Sequence, residues 1–128
     1  MAELLVVDDS KVMRDMIVAC LRADSSLRFS HAASGLEAIE QLSLRPFDLV
    51  LLDLNMPDIG GIEVVEFIRA QDRLQKLPII IITTRGDEAS RTRALSAGAS
   101  RFLVKPFDPD QISAEVSALL GETAAAHA

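Results

Sequence analysis

The sequence predicts an α/β fold: a doubly wound parallel sheet of five strands with five helices. Three observations predict it. Short apolar runs alternate with segments of helical periodicity, the pattern of successive βαβ units. Two runs, Leu49–Leu52 and Ile79–Ile82, are apolar at every position, as strands buried on both faces are. Four runs also end in residues of matched chemistry. Val7 precedes Asp8-Asp9, Leu52 precedes Asp53, Ile82 precedes Thr83 and Val104 precedes Lys105. The carboxyl ends of parallel strands share one edge of the sheet, and open α/β sheets place their ligand sites there.

The elements follow in order. Leu4–Val7 is the first strand. The first helix starts near Ser10, with Met13, Met16, Ile17, Cys20 and Leu21 at helical spacing toward the core. Leu27–Ala32 alternates apolar and polar residues, so it is a strand with one solvated face or an edge strand. Gly35–Leu42 is the second helix, with Leu36, Ile39 and Leu42 inward. The runs at 49–52 and 79–82 are the central strands. Gly61–Ala70 is the third helix. Asp87–Ala97 is the fourth, closed by Gly98 in a C′ position. Leu95 is its only large apolar residue, so it buries little and is weakly held. Phe102–Val104 is the fifth strand. The fifth helix runs from Asp108 or Pro109 to Leu120, with Ile112, Val116, Leu119 and Leu120 inward and Gly121 after it. Pro109 suits its first turn.

The 128 residues suffice for one domain with a proper core, and an apolar fraction of 49% is that of a globular chain. Thirteen basic against nineteen acidic residues leave a net charge of −6. That balance argues against broad binding to nucleic acid or to a membrane surface. No apolar run is long enough to span a bilayer. Met1-Ala2-Glu3 lacks the basic start of a signal peptide. A lone Cys20 excludes an internal disulfide and suits a reducing cytoplasm.

Three carboxylates crowded at one sheet edge repel, which raises the proton affinity of at least one of them. A hard divalent cation resolves the conflict, and Mg²⁺ favours one or two carboxylates together with waters and phosphate oxygens. An Asp beside such a metal can be a nucleophile and form an aspartyl phosphate. An ammonium and a hydroxyl then serve the transferring phosphoryl group. The chain offers Asp53 as nucleophile, Asp8 and Asp9 for the metal, Lys105 as the ammonium and Thr83 as the hydroxyl.

These residues carry a resemblance. The motifs are Val7-Asp8-Asp9-Ser10, Asp53-Leu54-Asn55-Met56-Pro57, Thr83 after the fourth strand, and Lys105-Pro106-Phe107. In order and spacing the chain resembles the receiver domain of two-component response regulators, of the single-domain chemotaxis type, from Glu3 to about Leu120. The resemblance implies a flavodoxin-like sheet of order 2-1-3-4-5. It implies a receiver domain over residues 1–121 and a short flexible tail over 122–128. It implies that Asp53 is the phospho-acceptor. Asp9, Asp53 and the backbone carbonyl of Asn55 would bind Mg²⁺, with Asp8 acting through water. Lys105 would contact the phosphoryl group, and its bond to Pro106 would be cis. Thr83 and Phe102 would be the switch pair, Phe102 turning inward as Thr83 moves toward the phosphoryl oxygen. The implied donor is a sensor histidine kinase or a histidine phosphotransfer protein, in the cytoplasm. The implied output is a protein target, or self-association, on the surface of helix four, strand five and helix five. Arg91, Arg93, Asp108, Asp110 and Glu115 would line much of that surface. Its mixed charge suits protein rather than nucleic acid.

The chain departs from the family pattern in places. Gly60 stands where Asp is frequent, which removes a side-chain cap from helix three at a cost of a few tenths of a kcal/mol. Thr84 is bulkier than usual beside Thr83 and narrows access to Asp53. Phe102 replaces a frequent Tyr. Taken singly, each site residue has an ordinary reading: an acidic helix cap, a strand-end Thr, a surface Lys. His31 and His127 read as surface residues, and Arg85, Arg91 and Arg93 as a solvated face. The competing function is a small haloacid-dehalogenase-like phosphatase, which uses the same residue types around Mg²⁺. Its nucleophile, however, follows the first strand as Asp-x-Asp, whereas here the acidic pair comes first and Asp53 lies in Asp-x-Asn.

Overall fold

The computed structural model describes the backbone of residues 1–127 and the side chains of residues 1–121. The elements are β1 (Ala2–Val7), α1 (Lys11–Leu21), β2 (Leu27–Ala32), α2 (Gly35–Leu44), β3 (Leu49–Leu52), α3 (Gly61–Ala70), a 3₁₀ turn (Asp72–Leu74), β4 (Ile79–Thr83), α4 (Glu88–Ala97), β5 (Arg101–Val104) and α5 (Pro109–His127). The strands form one sheet in the order β2-β1-β3-β4-β5, and every pairing is parallel. Val7 stands opposite both Ala32 and Leu52. Leu52 stands opposite Ile81, and Thr83 opposite Val104.

Alternation along the strands divides the core into two layers. Leu5, Val7, Val50, Leu52, Ile79, Ile81 and Phe102 face α2, α3 and α4. Leu4, Val6, Leu49, Leu51, Ile80, Ile82 and Leu103 face α1 and α5. β3 and β4 are therefore apolar at every position up to Thr83, because both of their faces are covered. β2 pairs only with β1 and keeps Arg28 and His31 in solvent.

Two helices turn differently from the spacing alone. α2 points Gly35, Ala38 and Leu42 inward, while Leu36 is 60% exposed. The cause is at Gly35: a Cβ there would meet the carbonyl oxygen of Ile59 at 2.7 Å and Val64 Cγ2 at 3.2 Å. The helix seats its glycine against this backbone, and that rotates Leu36 out. On α1, Ile17 and Leu21 set the buried face, and Met16, one residue away and so about 100° round the helix, is half exposed. Cys20 is only partly buried on that face. α5 runs through Gly121, which nothing crowds, rather than ending at Leu120. The side chains of the expected tail, 122–128, lie outside the described residues.

α4 is as thinly packed as its composition implies. It buries only Ser90 and Ala94, with Leu95 partly covered. Its ends are well tied. Asp87 caps the first turn, accepting from the Ser90 N–H at 3.0 Å and from the Ser90 hydroxyl at 2.9 Å. Gly98 closes it at φ +123°, a conformation that favours glycine. Its carbonyl accepts from Arg69 Nε at 3.0 Å. Arg69 also donates to the carbonyls of Leu74 and Gln75, so one side chain pins the ends of α3, the 3₁₀ turn and α4 together.

Adjacent glycines open α3 and differ in kind. A Cβ on Gly61 would meet the Asp53 carbonyl oxygen at 2.4 Å and Leu54 Cα at 2.7 Å, both backbone. A Cβ on Gly60 would meet only the carboxylate end of Glu63, which can swing away. Gly61→Ala should therefore cost at least about 2 kcal/mol, and Gly60→Ala no more than about 1. Urea melts of both variants check this; equal losses would refute the distinction.

Candidate functional site

The last ladder rungs hold the candidate residues. Asp8 N–H donates to the Ala32 carbonyl at 3.1 Å, Asp53 N–H to Val7 at 3.0 Å and Lys105 N–H to Thr83 at 2.7 Å. Each side chain thus leaves the sheet from the first residue past its strand, where hydrogen bonding still fixes the backbone. The sequence-predicted residues do converge. Carboxylate oxygens of Asp8, Asp9 and Asp53 lie within 4.8 Å of one another. Lys105 Nζ is 2.8 Å from Asp8 Oδ2 and 3.8 Å from Asp53 Oδ1. Asp8 and Asp53 are buried and Asp9 is exposed, so Asp9 forms the solvent side of the cluster. The Lys105–Pro106 bond is cis.

Asp53 is the group in conflict. Its Oδ1 is buried without a hydrogen-bond partner. Burial pushes its carboxyl above the ordinary range; Lys105 opposes that shift and Asp8 adds to it. An unbonded buried carboxylate oxygen beside two further carboxylates fits a hard cation with oxygen ligands. Thr83 is fully buried, and its Oγ1 accepts from the Arg85 N–H at 3.2 Å and from Asn55 Nδ2 at 3.5 Å. Those contacts use its lone pairs, so its proton can be donated, and hydrogen bonding from Thr83 and the Asn55 backbone counters the upward shift of the Asp53 carboxyl.

Asp8 has a second task. Its Oδ1 accepts from the Ser10 N–H at 2.9 Å, and Ser10 Oγ accepts from the Met13 N–H at 3.2 Å. The acidic loop therefore runs straight into the cap of α1. Arg14 returns to it, donating to the Asp8 carbonyl at 2.6 Å and to His31 Nδ1 at 3.2 Å.

Together these groups offer a carboxylate nucleophile, a cation cradle, an ammonium and a hydroxyl donor at one sheet edge. A scan against family descriptions matches residues 4–117 to the response regulator receiver domain. The chain belongs to that family. It is 39% identical over 120 residues to chemotaxis protein CheY1 of Helicobacter pylori, spanning 93% of this chain and 97% of that one. Its fold matches the chemotaxis response regulator CheY4 of Vibrio cholerae with a TM-score of 0.85 at 33% identity, over 93% of this receiver and 98% of that chain. It also matches the receiver domain of sensor histidine kinase PA1611 from Pseudomonas aeruginosa, whose structure holds a magnesium ion in its active-site cleft. That match has a TM-score of 0.85 at 29% identity, over 94% and 98% of the two chains.

Receivers are phosphorylation-dependent signalling domains of two-component systems, and they bind Mg²⁺ at an acidic cluster such as Asp8, Asp9 and Asp53 form here. The haloacid-dehalogenase alternative has no support: the family is another, and the buried Asp53 follows the third strand. Among the described residues, no helix is long and apolar enough to cross a membrane.

Two residues of the output side lie inward or toward α3. Phe102 is already buried, under α4, with the Arg91 guanidinium 5.9 Å from its ring centroid. A phenyl ring without a hydroxyl needs no hydrogen-bond partner in that apolar layer. Arg93 lines a cleft of about 170 Å³ between α3 and α4 with Asn55, Glu63 and Arg85, so it faces away from α5. Glu115 is paired with Arg101 of β5 at 2.9 Å.

Sequence reasoning missed Asp58, whose carboxylate accepts from the Gly35 and Leu36 N–H groups at 3.1 and 3.0 Å. After Pro57 it reads as an ordinary turn residue. Nothing local signals that it caps a helix starting 23 residues earlier.

The raised proton affinity of Asp53 has a consequence for stability. The folded state binds a proton at Asp53 more readily than the unfolded chain, whose Asp titrates near pH ~3.9. Metal-free protein therefore loses stability as pH rises from that value through the folded one. Asp53→Asn removes the loss. In EDTA at pH 7 the variant should be more stable by about 1 kcal/mol. Its advantage should vanish as the pH falls below about 4. Urea midpoints across pH measure this, and an advantage that grows toward acid pH would contradict it.

Proposed function

We propose that this receiver takes a phosphoryl group onto Asp53 from a phosphohistidine of a sensor histidine kinase or a histidine phosphotransfer protein, in the cytoplasm. The observation that carries the reading is the Oδ1 of Asp53, buried without a hydrogen bond beside the Asp8–Lys105 pair. A carboxylate oxygen of Asp53 attacks phosphorus, the N–P bond breaks, and the imidazole leaves with the electron pair. Asp9, Asp53 and the Asn55 carbonyl would hold Mg²⁺, with Asp8 acting through water; when bound, the ion neutralises charge on the phosphoryl oxygens. Lys105 provides a second positive charge at the same group. At 3.8 Å from Asp53 Oδ1 its ammonium is within reach of an oxygen of a phosphoryl group carried on that carboxylate. The Thr83 hydroxyl donates to another oxygen. The same residues serve hydrolysis of the acyl phosphate, so the domain catalyses both its own phosphorylation and its own dephosphorylation. Incubation with acetyl phosphate and Mg²⁺ should add one phosphoryl group by intact mass. Asp53→Asn should abolish the addition and EDTA should suppress it; undiminished labelling of the variant refutes the assignment.

The output surface on this reading is α4, β5 and α5, with a downstream protein, or a second copy, as the target. α4 buries two small residues between well-tied ends, so it is the packed element most easily displaced when Thr83 moves. Since Phe102 starts inside, the switch consists of α4 shifting over a ring already in place. A beryllofluoride–Mg²⁺ mimic should move the backbone amide resonances of α4 and β5 more than those of α2. Shifts confined to the loops around Asp53 would exclude this route.

A further inference from the structure

The loop from Asp53 to Gly60 joins β3 to α3 and carries Asn55. Its two ends are held by backbone, Asp53 N–H on Val7 and Gly61 N–H on the Leu54 carbonyl at 3.0 Å each. Its middle is held from the far side by α2. Asp58 Oδ1 takes the Gly35 N–H at 3.1 Å and Oδ2 takes the Leu36 N–H at 3.0 Å. These are first-turn donors that α2 cannot satisfy itself. A second contact marks the same place: the Ile59 carbonyl and Cβ lie 2.7 and 2.9 Å from where a Cβ of Gly35 would stand. The loop is therefore docked on a bare helix end by a two-pronged carboxylate and by close backbone packing.

We infer that Asp58 is a positioning residue for the cation site: by clamping the loop to α2 it holds the backbone of Asn55 against Asp53. This rests on the reading of Asp53 and Asn55 as cation ligands. Asp58 touches neither Asp8 nor Asp53; it acts through the loop, as outer partners orient the ligands of a metal. The clamp works both ways. If loop order favours the cation, cation binding must in turn order the clamp.

α2 supplies its own control. Ser34 Oγ caps the same helix through the Glu37 N–H at 3.1 Å and has no bond to the loop. Both residues contribute to the helix, and only Asp58 connects it to the site. Mg²⁺ affinity should be measured by calorimetry for the wild type, Asp58→Ala, Asp58→Asn and Ser34→Ala, with urea melts of each. Asp58→Ala should weaken Mg²⁺ about tenfold, the lower end of the range for outer partners of metal ligands. Asp58→Asn keeps one acceptor oxygen and should recover part of the loss; it also serves if the alanine variant does not fold. Ser34→Ala should lower the urea midpoint and leave Mg²⁺ affinity unchanged. Saturating Mg²⁺ should slow hydrogen exchange of the Gly35 and Leu36 amides in the wild type and not in Asp58→Ala. Unchanged affinity in Asp58→Ala, or an equal loss in Ser34→Ala, overturns the inference. A wild type that binds no Mg²⁺ overturns instead the reading on which it rests.

Discussion

The Asp53 carboxylate is buried at the end of a central strand with one oxygen unbonded, and it shares its corner with two more carboxylates and one ammonium. A close-packed core would not place charge there for stability, since an unpaired buried anion is costly. Lys105 does not fully resolve the conflict. It hydrogen-bonds Asp8 at 2.8 Å and stands a full ångström farther from Asp53. The remaining imbalance is a standing demand for positive charge, which a divalent cation held by these carboxylate oxygens would meet.

The scaffold can hold such a corner because the strain sits on rigid parts. β3 and β4 are covered on both faces, and the ladder continues one residue past β1, β3 and β5 to fix the backbone of Asp8, Asp53 and Lys105. Around them, close approaches take the place of side chains. Gly61 lets α3 start directly on the Asp53 and Leu54 backbone, and Gly35 lets α2 meet Ile59. The loop from Asp53 to Gly60 is thus held between two helices and tied to both.

The thinnest packing is located elsewhere. α4 has a cap at one end, the Arg69 pin at the other, and little between them but Ser90 and Ala94. Its N-terminal end follows Thr83 by four residues. On the proposed reading, a Thr83 hydroxyl drawn toward Asp53 would act on this thinly packed helix, and Arg91, near the Phe102 ring, would move with it.

Most of the fold was legible in the sequence. Strand alternation is a local property, so the doubly covered runs at 49–52 and 79–82 marked central parallel strands. Residues following successive parallel strands must meet at one edge, so Asp8, Asp53, Thr83 and Lys105 marked the site. Local patterning left the rotation of α2 and α1 open: Leu36 and Met16 fit an apolar face by spacing, yet contacts from distant backbone at Ile59 and from Ile17 and Leu21 decided which side faced in. Tertiary structure alone also placed Phe102 inside, turned Arg93 toward α3 and gave Asp58 its helix to cap. Each depends on which segments lie side by side, which no local pattern of residues fixes. The sequence by itself determined which chemical groups the sheet edge would collect, because strand direction and period are local. Only the packed structure decided which carboxylate oxygen is left without a hydrogen bond, because that depends on distances between elements.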